Sequence, residues 1–313
     1  RRRRTHRSKA RQSGSWAGLA TEEERSLKLT LGLAQFYPEL GNVPANLIRH
    51  GEWLQRAAAE AIEVVLFPEL SLCGYQVQDL VAEVALPIQE SEQPLQPMLE
   101  STRSTGVDAL VGFVLRDQRQ RYYPAAAYCS AGKMLHIHRK LYLATYSMFD
   151  EARFFAAGDQ IRAFDTRFGR FGALICEDFW HASPPYALWL DGADIILLQS
   201  ASPSRGISED PQFANARWIE RVAQAYASLF TCFVAHVNRV GYEDGKHFGG
   251  GSFVVDPEGN VLVRGGDSAE ELIQVTIDLD QIQRTRARLP LLRDERPQLL
   301  LAELKRLLAH EGE

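Results

Sequence analysis

Cysteine is scarce. The 313 residues hold four, Cys73, Cys129, Cys176 and Cys232, widely spaced and with no pair at CxxC spacing. That argues against a disulfide framework and for reduced intracellular thiols. No apolar run approaches the length of a membrane span, and no secretory apolar core is present, so the expectation is a soluble cytoplasmic protein. Charge of one sign is lacking too. Lys and Arg number 35 against 40 Asp and Glu, a net charge of -5, which gives no reason to expect nucleic acid or an anionic membrane as partner. No internal repeat, low-complexity linker or compositional break divides the middle of the chain. Gly249-Gly250-Gly251 is not followed by the Lys-Ser/Thr of a phosphate-binding loop, so it reads as close backbone packing before a strand. His136 and His138 share a strand face, but no carboxylate or cysteine cluster completes a metal site; neither a metal nor an organic cofactor is expected.

What is present is an ordinary globular composition, 45% hydrophobic and 24% charged, in a chain long enough to bury a large core. The exception is the start, where Arg1 to Arg11 crowds Arg, Lys, His and Ser together. Residues 1–25 read as a disordered basic tail, and the fold is assigned to residues 26–313.

Leu27, Leu29, Leu31 and Leu33 alternate with other residues at strand period. Pro44 to Glu60 reads as a helix. Val64 to Phe67 is an unbroken apolar run, suited to a strand buried on both faces and ended by Pro68. A helix from Leu95 to Thr105 leads to a strand over Ala109 to Leu115. Ala125 to Cys129 and Met134 to His138 form a hairpin about Ser130 to Lys133. Further strands are expected at Ile161–Phe164, Ala173–Ile175, Ile195–Leu198, Phe233–Val237, Phe253–Val255, Val261–Val263 and Leu272–Ile277. Helices are expected near Tyr186–Leu190, Phe213–Ser228 and Leu299–Leu308. Asp256-Pro257-Glu258-Gly259 is a turn, and Gly265-Gly266-Asp267-Ser268 reads as a hairpin turn. Strands and helices alternate with some hairpins, which indicates one α/β domain with mixed sheets covered by helices.

Three reactive side chains stand at the ends of short apolar runs, where α/β folds hold groups rigidly at a cleft: Glu69, Lys140 and Cys176. A cysteine is a nucleophile when a base takes its proton or a cation stabilises its thiolate. Each also has a plain reading, as a small core residue or a solvated edge charge, and spacing alone does not choose.

The surrounding segments resemble the three signature blocks of the nitrilase (carbon–nitrogen hydrolase) superfamily. More narrowly, they resemble the glutamine amidotransferase domain of glutamine-dependent NAD synthetases. The resemblance runs from Phe67-Pro68-Glu69-Leu70 and Cys73-Gly74-Tyr75 through Lys140, Tyr146, Phe149-Asp150-Glu151-x-Arg153-x-Phe155 and Gly158. It continues in Ile175-Cys176-Glu177-Asp178-Phe179-Trp180, Ser200-Ala201-Ser202-Pro203, Gly250-Gly251-Ser252-Phe253 and Asp256-Pro257-x-Gly259. It covers roughly residues 27 to 300 and implies a four-layer α-β-β-α sandwich. In it Glu69 would be the general base, Cys176 the nucleophile, and Lys140 with the backbone N–H after the nucleophile the oxyanion stabiliser. Glu151 matches a second family glutamate, and is equally well read as a buried partner of Lys140 with no chemical step of its own. Tyr146, Glu177 and Ser202 would line a polar amide pocket. Phe179 and Trp180 suit either its apolar wall or the core. Arg205 is a candidate for a substrate carboxylate, displaced from the branch's usual arginine position.

The resulting expectation is a cysteine-dependent amidohydrolase acting on a small, glutamine-like amide through an acyl-thioester, as a homodimer or higher homo-oligomer. The chain ends near residue 313 without an ATP-binding loop, which suggests a free-standing enzyme. The alternatives are a glutaminase subunit feeding ammonia to a separate synthetase, or a non-catalytic protein that kept the fold. Glu177-Asp178 resembles the amide-hydrolysing branch, which places nitriles below amides as substrates.

Overall fold

The computed structural model describes residues 27–87, 93–203 and 214–310; the basic tail and Arg205 lie outside them. β1 (Lys28–Gln35) buries Leu29, Leu31 and Leu33, as the alternation requires. In α1 (Val43–Ala59), Asn42 accepts a hydrogen bond from the Ala45 amide and Pro44 occupies the first turn, both favourable at a helix start. β2 (Val64–Leu66) is buried throughout. α2 (Val81–Val84) and α3 (Gln96–Thr105) lead to β3 (Asp108–Arg116), and β4 (Tyr122–Ser130) with β5 (Lys133–Arg139) makes the expected hairpin. Then come α4 (Glu151–Phe154), β6 (Ala163–Thr166), β7 (Gly169–Ile175), α5 (Ser183–Leu190), β8 (Ile195–Ser200), α6 (Ala214–Phe230) and β9 (Phe233–Asn238). The remainder is β10 (Val240–Glu243), β11 (Lys246–Gly249), β12 (Phe253–Val255), β13 (Val261–Arg264), β14 (Glu271–Asp278), α7 (Asp280–Arg288), α8 (Leu291–Asp294) and α9 (Pro297–His310).

Two six-stranded sheets result, in the orders β14-β1-β2-β3-β4-β5 and β13-β12-β9-β8-β7-β6. They share a core between them: Leu31, Leu66 and Leu110 of the first sheet pack with Phe171, Leu197 and Val237 of the second. The outer face of the first sheet packs on Leu54 of α1 and Met98 of α3, and that of the second on Leu188 of α5 and Ala223 of α6. The layers are therefore α-β-β-α, as the resemblance implied. Among the described residues no helix is long and apolar enough to cross a membrane, and no two cysteines are joined in a disulfide.

The sequence reading needs correcting in four places. Gly265 to Ser268 is no hairpin turn: β13 and β14 sit in different sheets, and β14 pairs with β1 along all eight of its residues, so this stretch carries the chain from sheet to sheet. The β10–β11 hairpin and α7 were not anticipated. β7 also begins at Gly169, four residues before the expected start. The glycines at 249–251 do pack closely, with the Gly251 amide donating to the Gly266 carbonyl at 3.0 Å.

Candidate active site

β2 and β5 of the first sheet run in one direction, and β7 and β8 of the second are parallel to each other. Their carboxyl ends carry Glu69, Lys140, Cys176 and Ser202, so the site spans the seam between the two sheets. Glu69 leaves β2 through Pro68 and is followed by Leu70 in the left-handed region (φ 51°). This turn lies so close over β3 that a Cβ on Gly112 would meet the Pro68 carbonyl at 2.5 Å and the Leu70 amide at 2.6 Å. Glycine there is what lets the turn, and Glu69 with it, settle onto the sheet.

Lys140 is wholly buried and Glu69 is 1% exposed. The Lys140 Nζ donates to Glu69 Oε1 and to Glu151 Oε1, each at 2.7 Å. Glu69 Oε2 accepts the Ala201 amide at 2.9 Å. Glu151 opens α4; its Oε1 also accepts the Tyr75 hydroxyl at 2.6 Å, and its Oε2 the Ala144 amide at 3.1 Å. An ammonium has three donors, so two carboxylates orient Lys140 and leave one N–H to aim elsewhere.

Cys176 is partly exposed and sits at φ 44°, a conformation costing on the order of 1–3 kcal/mol for a residue other than glycine. Its Sγ lies 3.9 Å from the Ser202 hydroxyl. Burial pushes its thiol pKa up, and the charge of Glu69 adds to this while Lys140 opposes it, so the resting group is a thiol. Burial also pushes Glu69 up, to about 7; Lys140 draws it back and the like charge of Glu151 raises it further. Burial alone would lower Lys140, but Glu69 and Glu151 reverse this and hold it well above the ordinary lysine value. The centre thus holds a carboxylate poised near neutrality, a fixed cation and a thiol, which suits general-base activation of a nucleophile.

Of the other expected site residues, the Tyr146 hydroxyl donates to Glu177 Oε2 at 2.8 Å, and Ser202 is held by its amide on Asn238 Oδ1 at 2.8 Å. Phe179 belongs to the core, edge-on to Tyr226, and Trp180 packs partly buried against Trp218. His136 stacks on Phe164 and His138 bonds Asp178, so the two histidines serve separate packing roles.

Asp178, two residues after Cys176, ties the site together. Its buried carboxylate accepts the Ile175 amide (3.1 Å), the Leu141 and Tyr142 amides (2.8 and 2.9 Å) and His138 Nε2 (2.8 Å). It therefore fastens the strand end before Cys176 to the segment after Lys140. Hydrogen bonds to a charged group contribute about 1.5–3 kcal/mol each. Asp178→Ala should accordingly lower unfolding free energy by about 3 kcal/mol or more. Denaturant unfolding measures this, and a loss under about 1 kcal/mol would refute the role. Its bracing role leaves no mark in the sequence pattern, because three of its four partners lie 36 to 40 residues away.

Two sheets packed face to face, with helices outside and these side chains at the strand ends, define the nitrilase-superfamily fold. The chain belongs to the carbon–nitrogen hydrolase family, which it matches over residues 30–287. It is 34% identical over 259 residues to a glutamine-dependent NAD(+) synthetase of Thermotoga maritima, a match covering 81% of this chain and 43% of that protein. The solved glutamine-dependent NAD+ synthetase of Acinetobacter baumannii superposes with a TM-score of 0.73 at 27% identity, over 82% of this chain and 46% of that one. An N-carbamoylputrescine amidase of Arabidopsis thaliana is 26% identical over 275 residues, covering 82% of this chain and 89% of that protein. The chain thus spans less than half the length of the synthetases it matches.

Proposed function

We propose that residues 26–313 form a cysteine-dependent amidohydrolase that cleaves a small amide through an acyl-thioester. The observation that carries this reading is the buried Lys140 bridging Glu69 and Glu151 beside Cys176. In the reaction Glu69 takes the thiol proton as Sγ attacks the amide carbon. The developing oxyanion meets the third N–H of Lys140 and the backbone N–H of Glu177. Glu69 returns the proton to the leaving nitrogen, and the C–N bond breaks to give ammonia or an amine and the thioester. Water, deprotonated by Glu69, then attacks the thioester; the acid leaves and the thiol is restored. Glu151 holds Lys140 and takes no chemical step of its own. Tyr146, Glu177 and Ser202 form the polar wall toward the substrate, and Arg205 is the candidate for a distal carboxylate. The reaction needs no metal or organic cofactor, and the working form is a cytoplasmic homodimer or higher homo-oligomer.

A second reading keeps the chemistry and changes the destination of the ammonia. A relative at 34% identity is a glutamine-dependent NAD(+) synthetase, which favours a glutaminase unit serving an ATP-using partner. The match to an N-carbamoylputrescine amidase over 89% of its length favours independent action. A panel of glutamine, asparagine, simple aliphatic amides, N-carbamoyl amino acids and nitriles, assayed without ATP, separates them. The expected outcome is release of ammonia or amine from small aliphatic or glutamine-type amides by the purified protein alone. Preference for nitriles, or release only when a synthetase is added, would overturn free-standing amidase action. Strong glutamine preference lost in Arg205→Ala would assign that arginine to the substrate carboxylate.

A further inference from the structure

The β10–β11 hairpin has no part in the chemistry above, yet it is packed onto the loop that follows Glu69. Phe248 of β11 lies in one cluster with Leu70, Cys73, Tyr75 and Ala201. Glu243, at the end of β10, is buried, and its Oε1 accepts the backbone amides of Tyr75 (2.8 Å) and Gln76 (2.6 Å). Its Oε2 accepts Arg239 Nη1 at 2.6 Å. Arg239 is itself 1% exposed, its guanidinium 4.2 Å above the Phe248 ring. Lys246 of β11 adds a bond from Nζ to the Gln76 side-chain carbonyl at 2.7 Å. The loop is shaped for this contact: Gly74 has φ 85°, and a Cβ there would stand 2.7 Å from Glu243 Oε2.

Tyr75 is the link back to the centre. Its hydroxyl donates to the same Glu151 oxygen that accepts Lys140, while its ring packs edge-on to Phe149 and Phe248. A buried ion pair contributes little net stability beside a well-packed apolar pair, so one set against a backbone turn points to a positional task. We propose that the β10–β11 hairpin is a positioning clamp for Lys140. Glu243, held by Arg239, pins the Tyr75 and Gln76 amides, so that the Tyr75 hydroxyl is presented to Glu151, and Glu151 to Lys140. The proposal rests on the amidohydrolase reading, and adds Glu243, Arg239 and Tyr75 as positioning residues that touch no substrate.

Single variants of the pair would leave a buried charge and unsettle the fold, so two double variants make the test. Arg239→Met/Glu243→Gln removes both charges but keeps a side-chain oxygen for the two amides. Arg239→Met/Glu243→Ala removes the charges and the oxygen. Loss of a supporting contact of this kind costs roughly 10–100-fold by analogy with the outer contacts of metal sites. The Ala pair should lose that much in kcat with KM changed less than about 3-fold, while the Gln pair stays within about 3-fold of the parent. Adding Tyr75→Phe to the Ala pair should cost little more, because both break one relay. Hydrogen exchange over residues 70–77 reads the pin without reference to turnover, and should quicken in the Ala pair only. Equal kcat in the two double variants, or quickened exchange with kcat unchanged, would overturn the clamp. A parent inert toward every amide would instead sink the functional reading, while the exchange comparison still decided whether Glu243 pins the loop.

Discussion

Replacing Cys176 with alanine is expected to reduce amide turnover by on the order of 10⁴-fold or more, as removal of a nucleophile that works as a unit with its base does. The fold should survive, because alanine keeps the backbone and removes only a partly exposed sulfur. The contrast with the other three cysteines gives the prediction its force. Cys73, Cys129 and Cys232 are fully buried. Burial pushes the Cys232 thiol to about 12 and that of Cys73 higher still. Cys176 is raised as well, but it lies within the field of Glu69 and Lys140, so a proton acceptor and a cation stand ready when substrate arrives. Incubation with an electrophilic amide analogue followed by peptide mass spectrometry should place the adduct on Cys176. An adduct on another cysteine, with turnover surviving in Cys176→Ala, would remove the nucleophile from the mechanism.

The positions of the three candidate residues were legible, each at the end of one apolar run, while the choice of them over plain core or edge residues came from the resemblance. Glu69 after Val64 to Phe67 and Pro68, Lys140 after the second strand of a hairpin, and Cys176 after Ala173 to Ile175 all lie where the pattern put them. What joins them was not legible. Tyr75 reaches Glu151 across 76 residues and Glu243 reaches Tyr75 across 168, and periodicity carries no information at such separations. The β10–β11 hairpin was missed because Val240-Gly241-Tyr242-Glu243 interrupts its apolar positions with a glycine and a charge. α7 escaped because only Ile282 and Thr285 of its nine residues are buried, too few to show a helical stripe. The misread turn at Gly265 to Ser268 has a related cause: a Gly-Gly-Asp-Ser cluster marks a reversal, but not which sheet the next strand joins.

Glu69→Gln is expected to lower kcat/KM by about 10²–10⁴-fold, the range for a general base. Lys140→Ala should lower it by about 10²–10³-fold, the range for one oxyanion donor. Combined with Cys176→Ala, neither should add its full effect, since all three act on the same tetrahedral step. The pH dependence separates the base from the cation. Glu69 must be ionised to accept the thiol proton, and its carboxyl titrates near 7 in the folded protein. Activity should therefore fall as the pH drops through about 7 and reach its plateau above it. Lys140 is held well above the ordinary lysine value, so it stays charged across the neutral and mildly alkaline range and adds no falling limb there. The expected profile of kcat/KM is a single rising step rather than a bell. The like charge of Glu151 is one of the causes that raise Glu69, so Glu151→Gln should move the step toward acid even as it lowers the plateau. Steady-state profiles from pH 5 to 9 decide the matter. A step that stays in place in Glu151→Gln would assign the titration to another group, and near-parental turnover in Glu69→Gln or Lys140→Ala would remove that residue from the triad.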